Sequence, residues 1–194
     1  MGLLRGIVNW SDAGRASKTV KLLQPWMRGK TLDVGSWDGL VASRLGVDVV
    51  GIDVCDPPPN TVIPVQRFDG RTIPHDDNEF DTVLCCTALH HAVDQDSLFR
   101  EMLRVGKRLV LLEDSYDTMT ERSSVILLHM ISSRMVDMPY QVNGFRSLLG
   151  WLNFFGKFPC RLTACERYPG IMPVWYGLNH YLFEIEPLAS TSGS

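Results

Sequence analysis

No apolar stretch in this 194-residue chain reaches the about 18 residues that a membrane span requires. Nor is there a basic excess, since 19 Lys and Arg face 22 Asp and Glu for a net charge of −3. A dedicated nucleic-acid binder usually carries the opposite balance, so no nucleic acid is expected as a partner. The five cysteines, Cys55, Cys85, Cys86, Cys160 and Cys165, have neither zinc spacing nor the even count of a small disulfide framework. A reduced, cytoplasmic protein is therefore expected. Met1 to Val8 is too short and interrupted for a signal peptide, and Gly2 lacks the Ser or Thr at position 6 that myristoylation needs. No internal repeat is visible.

What is present is a globular composition. At 45% hydrophobic and 21% charged, the chain is too apolar to stay disordered. Its length suits one domain, expected over residues 1–188, with a frayed polar tail at 189–194. Residues 1–30 hold six Lys or Arg and one Asp, and read as a helical arm. The oligomeric state is open, a homodimer being one option.

Ser11 can cap a helix running to about Gln24, which Pro25 stops. Short β-type runs follow at Thr31–Gly35, Val47–Asp53, Val62–Arg67, Phe80–Cys86 and Arg108–Glu113. Leu40–Leu45 reads as a short helix, and Asp94 opens another that continues to Val105. Strands alternating with helices predict βαβ units and a parallel sheet. After Asp114 the pattern changes. A long helix is predicted over 119–136, and a second from Phe145 to Phe155 on i, i+3, i+4, i+7 spacing. Arg161–Arg167 and Asn179–Glu186 read as closing strands, with a loop forced between them by Gly170 and Pro173. The fold class expected is α/β: a doubly wound, Rossmann-like, seven-stranded sheet with an antiparallel last strand and helices on both faces.

The chemistry centres on Asp33-Val-Gly-Ser-Trp-Asp-Gly39. Gly35 and Gly39 suit a turn where backbone approaches a ligand closely, and ligands of open α/β sheets bind at such carboxyl ends. Asp53 ends the next strand, where a carboxylate can take both hydroxyls of a ribose. A dinucleotide would want G-x-G-x-x-G, but Trp37 and Leu40 hold the second and third glycine places. Asp33 and Asp38 repel phosphate and favour a cation. S-adenosylmethionine has an ammonium, a sulfonium and no phosphate, so charge favours it over a nicotinamide cofactor.

These residues, with V-V-G-I-D, the run F-D-G-R-T-I-P-H-D-D-N-E-F-D-T-V-L, A-L-H-H and L-F-R-E-M-L-R-V, make the stretch Leu32–Asp114 resemble a class I S-adenosylmethionine-dependent methyltransferase. Within that class it resembles the small group of ubiquinone-biosynthesis-type, methyltransferase type 11-like enzymes. The resemblance implies that Asp33, Gly35, Ser36 and Trp37 meet the methionine end. It implies Asp53 and Val54 at the ribose, Asp69 and Gly70 at the adenine, and Thr87 and Ala88 beneath the methionine. Trp37 departs from the pattern, because the family usually has glycine there. The turn before the fifth strand is shortened to Gly106-Lys107.

Methyl transfer relies on positioning and on exclusion of water, with a general base only where the acceptor is protonated. His90, His91 and Asp114 are the catalytic candidates at the sheet edge, with Glu113, His129 and His180 behind them. No metal is expected, because the histidines lack zinc spacing and the acids sit on different strand ends. Residues 115–158 read as a helical cap over the acceptor, with Tyr116, His129, Tyr140, Phe145 and Arg146 lining it. Its apolar content predicts a small, apolar acceptor, and contact with a membrane surface is not expected. Two alternatives stay open: a non-catalytic cofactor-fold subunit supporting another enzyme, and an NAD(P)-dependent oxidoreductase.

Overall fold

The computed structural model describes residues 14–136, 141, 144–169 and 179–188. Ser11, Tyr140, the turn at Gly170 and Pro173, and the tail at 189–194 lie outside the described residues. Helix α1, residues 14–23, passes into a 3-10 turn at Gln24–Trp26 that contains Pro25. The strands are β1 (Thr31–Val34), β2 (Val49–Asp53), β3 (Val65–Arg67), β4 (Thr82–Cys86), β5 (Leu109–Ser115), β6 (Cys160–Pro169) and β7 (Asn179–Pro187). Helix α2 spans Gln95–Val105, α3 Met119–Val136 and α4 Leu148–Phe155. The sheet order is β3-β2-β1-β4-β5-β7-β6. All pairs among β1 to β5 are parallel, while β7 runs antiparallel to both of its neighbours. This is the expected doubly wound sheet with an antiparallel last strand.

The period of two along each strand sorts the core into two layers. Val83, Cys85, Leu109, Leu111, Phe183 and Ile185 face Phe99 and Met102 of α2 and Trp151, Phe154 and Phe155 of α4. Leu84, Val110, Leu112 and Leu182 face Leu23 of α1 and Met27. Helices therefore cover both faces, and the central strands are mostly apolar because neither side meets water. Each large side chain buried this way contributes roughly 1.5–3 kcal/mol.

Helix starts follow local chemistry. Asp94 caps α2 by accepting from Ser97 N–H at 3.0 Å. Thr118 and Glu121 form a reciprocal capping box before α3: Glu121 N–H donates to Thr118 Oγ1 at 3.1 Å and Thr118 N–H to Glu121 Oε2 at 3.1 Å. Ser147 caps α4 by accepting from Gly150 N–H at 3.2 Å. That cap corrects the predicted start of the second cap helix, because Phe145 lies before it in an extended segment bridged to Ser115. The helix expected at Leu40–Leu45 is only a 3-10 turn, Ala42–Arg44, held between Gly39 and Gly46 at positive φ.

Candidate active site

The ends of β1 to β5 converge at the carboxyl edge. After β1 the chain turns at Gly35, whose φ is +80° and where a Cβ would stand 2.4 Å from that of Ala88. Only glycine permits both the left-handed turn and this contact with the segment after β4. Gly35 N–H and Ser36 N–H both donate to Ile52 O, at 2.9 and 3.1 Å, so the turn folds back over β2. Trp37 takes the next step at φ +50°. A backbone that glycine adopts freely is thus held with an indole on it, a left-handed conformation that costs an L-residue roughly 1–2 kcal/mol.

Asp53 fixes that conformation. Its Oδ2 accepts from Trp37 N–H at 2.8 Å and its Oδ1 from Cys55 N–H at 2.9 Å. The group is 7% exposed, and each oxygen keeps a second lone-pair site. Phe68 N–H donates to Asp53 O at 3.0 Å, which brings the turn after β3 alongside. There Asp69 Oδ1 accepts from Arg71 N–H and Thr72 N–H at 2.8 and 2.7 Å. Those bonds hold its carboxyl below the ordinary range. Gly70, at φ +76°, sits so close to Val54 that a Cβ would stand 2.9 Å from Val54 Cγ1. The predicted ribose and adenine residues are therefore neighbours.

Asp33 is the unusual member. It lies in a central strand at 4% exposure. Burial raises its pKa to about 6, the nearby Ser36 hydroxyl pulls it down, and the Asp53 charge adds to the rise. A buried carboxylate beside a second acid is a poor place for phosphate and a good one for an ammonium.

The far wall is organised by Glu113, fully buried at the end of β5. Its Oε1 accepts from Leu89 N–H at 2.8 Å and Ala88 N–H at 3.3 Å, while its Oε2 lies 2.6 Å from His90 Nδ1. Thr87, at φ +51°, donates its N–H to Leu112 O at 2.6 Å. Glu113 thus holds the Thr87–His90 turn rather than standing open as a base. A charge ending the apolar run R-L-V-L-L-E was the signal in the sequence.

His90 is 1% exposed. Burial pushes its pKa down, but Glu113 and then Asp114 outweigh burial and raise it. Asp114 Oδ2 stands 3.8 Å from His90 Nε2 and 3.5 Å from His129 Nε2, and its Oδ1 is 3.0 Å from His180 Nε2. Burial would raise the Asp114 pKa, yet these imidazoles, His180 foremost, hold it well below the carboxylate range. A carboxylate so committed is a partner for histidines rather than a base. His129 donates from Nδ1 to Val125 O at 3.2 Å, and burial depresses its pKa. Phe145 packs on both rings, with centroids 4.6 Å from His90 and 4.6 Å from His129. The pair His90–His91, predicted at this edge, therefore meets a helix histidine and the start of the cap.

The cap divides on inspection. Tyr116 and Phe145 pack with Val125 in a small cluster of their own. Arg146 does not reach outward: its guanidinium lies over Phe154 and Trp151, 4.7 and 5.4 Å from the ring centroids, and Nη2 donates to Gln95 Oε1 at 2.5 Å. Trp151, Phe154 and Phe155 belong to the main core with Phe99 and Phe183. Helix α4 is therefore core, while α3 and the 144–146 segment face the histidines.

Residues 32–111 match the family model of the methyltransferase domain. Among curated proteins, no sequence matches this chain. Solved structures share the fold at low identity. The YcgJ protein of Bacillus subtilis aligns at a TM-score of 0.63 and 16% identity, over 89% of this chain and 99% of that one. A SAM-dependent methyltransferase of Thermotoga maritima aligns at 0.63 and 13%, over 94% and 95%. The [4+2]-cyclase SpnF aligns at 0.64 and 14%, over 88% and 80%. The matched segment and this sheet support a class I S-adenosylmethionine-dependent methyltransferase. The matched methyltransferase domain makes this chain a methyltransferase with S-adenosylmethionine as its cofactor.

Proposed function

We propose that the enzyme methylates a small, apolar metabolite, with the cofactor along the edge formed by β1, β2 and the turns after β3 and β4. The observation that carries this is the pair of buried carboxylates, Asp33 and Asp53, around the Gly35 turn. They fit the group: Asp33, with Gly35, Ser36 and Trp37, would hold its ammonium end, and the open lone pairs of Asp53, with Val54 beside them, its ribose. Asp69 Oδ2 and Gly70 would face the adenine, with Thr87 and Ala88 beneath. Bound there, the cofactor supplies an activated methyl on a sulfonium.

The chain's own part is to orient and to dry the site. Glu113 fixes the Thr87–His90 turn, and Phe145 and Tyr116 shield its outer side. In this reading Tyr116, Phe145 and the part of α3 around His129 form the acceptor wall, and His91 and His129 are the polar groups that an acceptor meets. No helix among the described residues is long and apolar enough to cross a membrane. All five cysteines are free thiols, which supports a reducing, cytoplasmic setting.

The test is methyl transfer from labelled S-adenosylmethionine to a panel of apolar and charged small acceptors. Turnover of apolar members alone supports the reading. Tight binding of S-adenosylhomocysteine with no turnover on any acceptor would favour the non-catalytic alternative.

A further inference from the structure

Three histidines that the sequence keeps far apart meet at the outer end of β4. One ring nitrogen of each of His90, His91 and His129 lies within 4.8 Å of the others. We infer that they bind a divalent transition-metal ion of the zinc class, with the Asp114 carboxylate beside it. This replaces the expectation, drawn from spacing alone, that the protein has no metal site. It goes beyond methyl transfer and does not depend on the acceptor proposed above.

The arrangement around the rings is that of metal-binding histidines. Such a histidine gives one N–H to a carboxylate or a backbone carbonyl, so that the other nitrogen is presented as a ligand. His90 has Nδ1 2.6 Å from Glu113 Oε2, and His129 has Nδ1 3.2 Å from Val125 O. Both Nε2 atoms then turn toward one oxygen, Asp114 Oδ2, at 3.8 and 3.5 Å. Two ligands of one tetrahedral ion with bonds of about 2.1 Å stand roughly 3.4 Å apart, so ring nitrogens within 4.8 Å of one another have to draw in by no more than about 1.4 Å around an ion. His90 Nε2 is buried with no hydrogen-bond partner among the described residues. A buried nitrogen left in that state calls for an explanation, and a metal supplies one.

The donor set selects the ion. Imidazole suits zinc, cobalt, nickel and iron, whereas magnesium and calcium prefer oxygen ligands. Three protein ligands leave a coordination position for water or an acceptor oxygen, as in catalytic rather than structural zinc sites. Asp114 is oriented by His180 at 3.0 Å, so the neighbouring carboxylate is itself held.

Cobalt(II) titration of the chelator-treated protein, without cofactor or acceptor, tests the site directly. One ion per chain is expected, with visible absorption that zinc abolishes by displacement. His91→Ala and His129→Ala should each weaken binding at least about tenfold. Cys165→Ser, which removes the exposed thiol, should leave the titration unchanged. Should both histidine variants fail to fold, paramagnetic shifts in the wild-type protein decide, with shifted signals from three imidazoles expected. No cobalt absorption at saturation, unchanged affinity in folded variants, or shifts confined to other residues would overturn the inference. Loss of methyl transfer plays no part in this test, so its outcome is separate from that of the proposed function.

Discussion

Trp37 and Asp53 are locked together, the backbone N–H of one donating to the carboxylate of the other at 2.8 Å. The bond spans two strand ends. It lets an indole occupy a left-handed position that glycine adopts far more readily. It also means that the proposed ribose-binding acid is pre-oriented by the cofactor loop itself.

Asp53→Ala should therefore do two things at once. It leaves Trp37 N–H and Cys55 N–H without their acceptor, and it removes the ribose partner. S-adenosylhomocysteine affinity is expected to fall about 10–100-fold, a loss of roughly 1.5–3 kcal/mol. Calorimetric titration reads the affinity. Binding equal to that of the parent would show that the ribose lies elsewhere.

Gly35→Ala should fail for steric reasons that a second substitution relieves only in part. The new Cβ would meet that of Ala88 at 2.4 Å while the backbone stays at φ +80°. Overpacking costs roughly 1–3 kcal/mol and the left-handed residue roughly 1–2 kcal/mol more. Ala88→Gly in the same chain removes the collision and leaves the backbone cost. Urea denaturation of the single and double variants should show a partial recovery, and no recovery would place the strain somewhere other than this contact.

Asp33 predicts a pH dependence of the cofactor-free protein. Its folded pKa of about 6 lies above the ordinary value of 3.8, so the fold favours the protonated acid. Between those values the folded state binds more protons than the unfolded chain, and stability falls as pH rises through the window. Below it the group costs nothing extra. Above it the full cost applies, on the order of 3 kcal/mol. Asp33→Asn should thus gain stability over the parent as pH goes from about 4 to about 7, and should bind cofactor more weakly. A stability difference that does not change with pH would refute the buried-acid account.

Trp151→Ala separates core from lid. Trp151 is fully buried, stacks on Phe155 with centroids 5.9 Å apart, and donates from Nε1 to Asp114 O at 3.2 Å. A loss of roughly 3–5 kcal/mol is expected in denaturant unfolding. Acceptor KM in the surviving folded enzyme should stay near the parent value. A raised KM at unchanged stability would return α4 to the acceptor wall.

The central strands β1, β2 and β5 were legible because each is a short apolar run ended by a glycine or an acid, and their order follows from alternation with helices. The turn acids Asp33, Asp53 and Asp69 were legible for the same local reason. What sequence could not show is what tertiary contact decides. Phe145 continues a helical spacing, but the Ser147 cap starts the helix after it. Arg146 looked free to orient a ligand, whereas aromatic faces and Gln95 hold it. The histidine cluster depends on α3 folding back over the end of β4, and no spacing rule relates His129 to His90. Glu113 was visible as a charge, yet its role depends on a turn donated by another strand.

The strand that separates β5 from β6 is made after both. During synthesis β5 therefore emerges with its outer edge unpaired, and β6 has no sheet to join until β7 leaves the ribosome and enters between them. Long-range pairing of this kind closes slowly, and an open edge recruits other chains while it waits. The N-terminal five-stranded part can form first, and completion is postponed to the final strand. Substitutions in Asn179–Pro187 should accordingly lower the yield of soluble protein more than they lower the stability of what does fold.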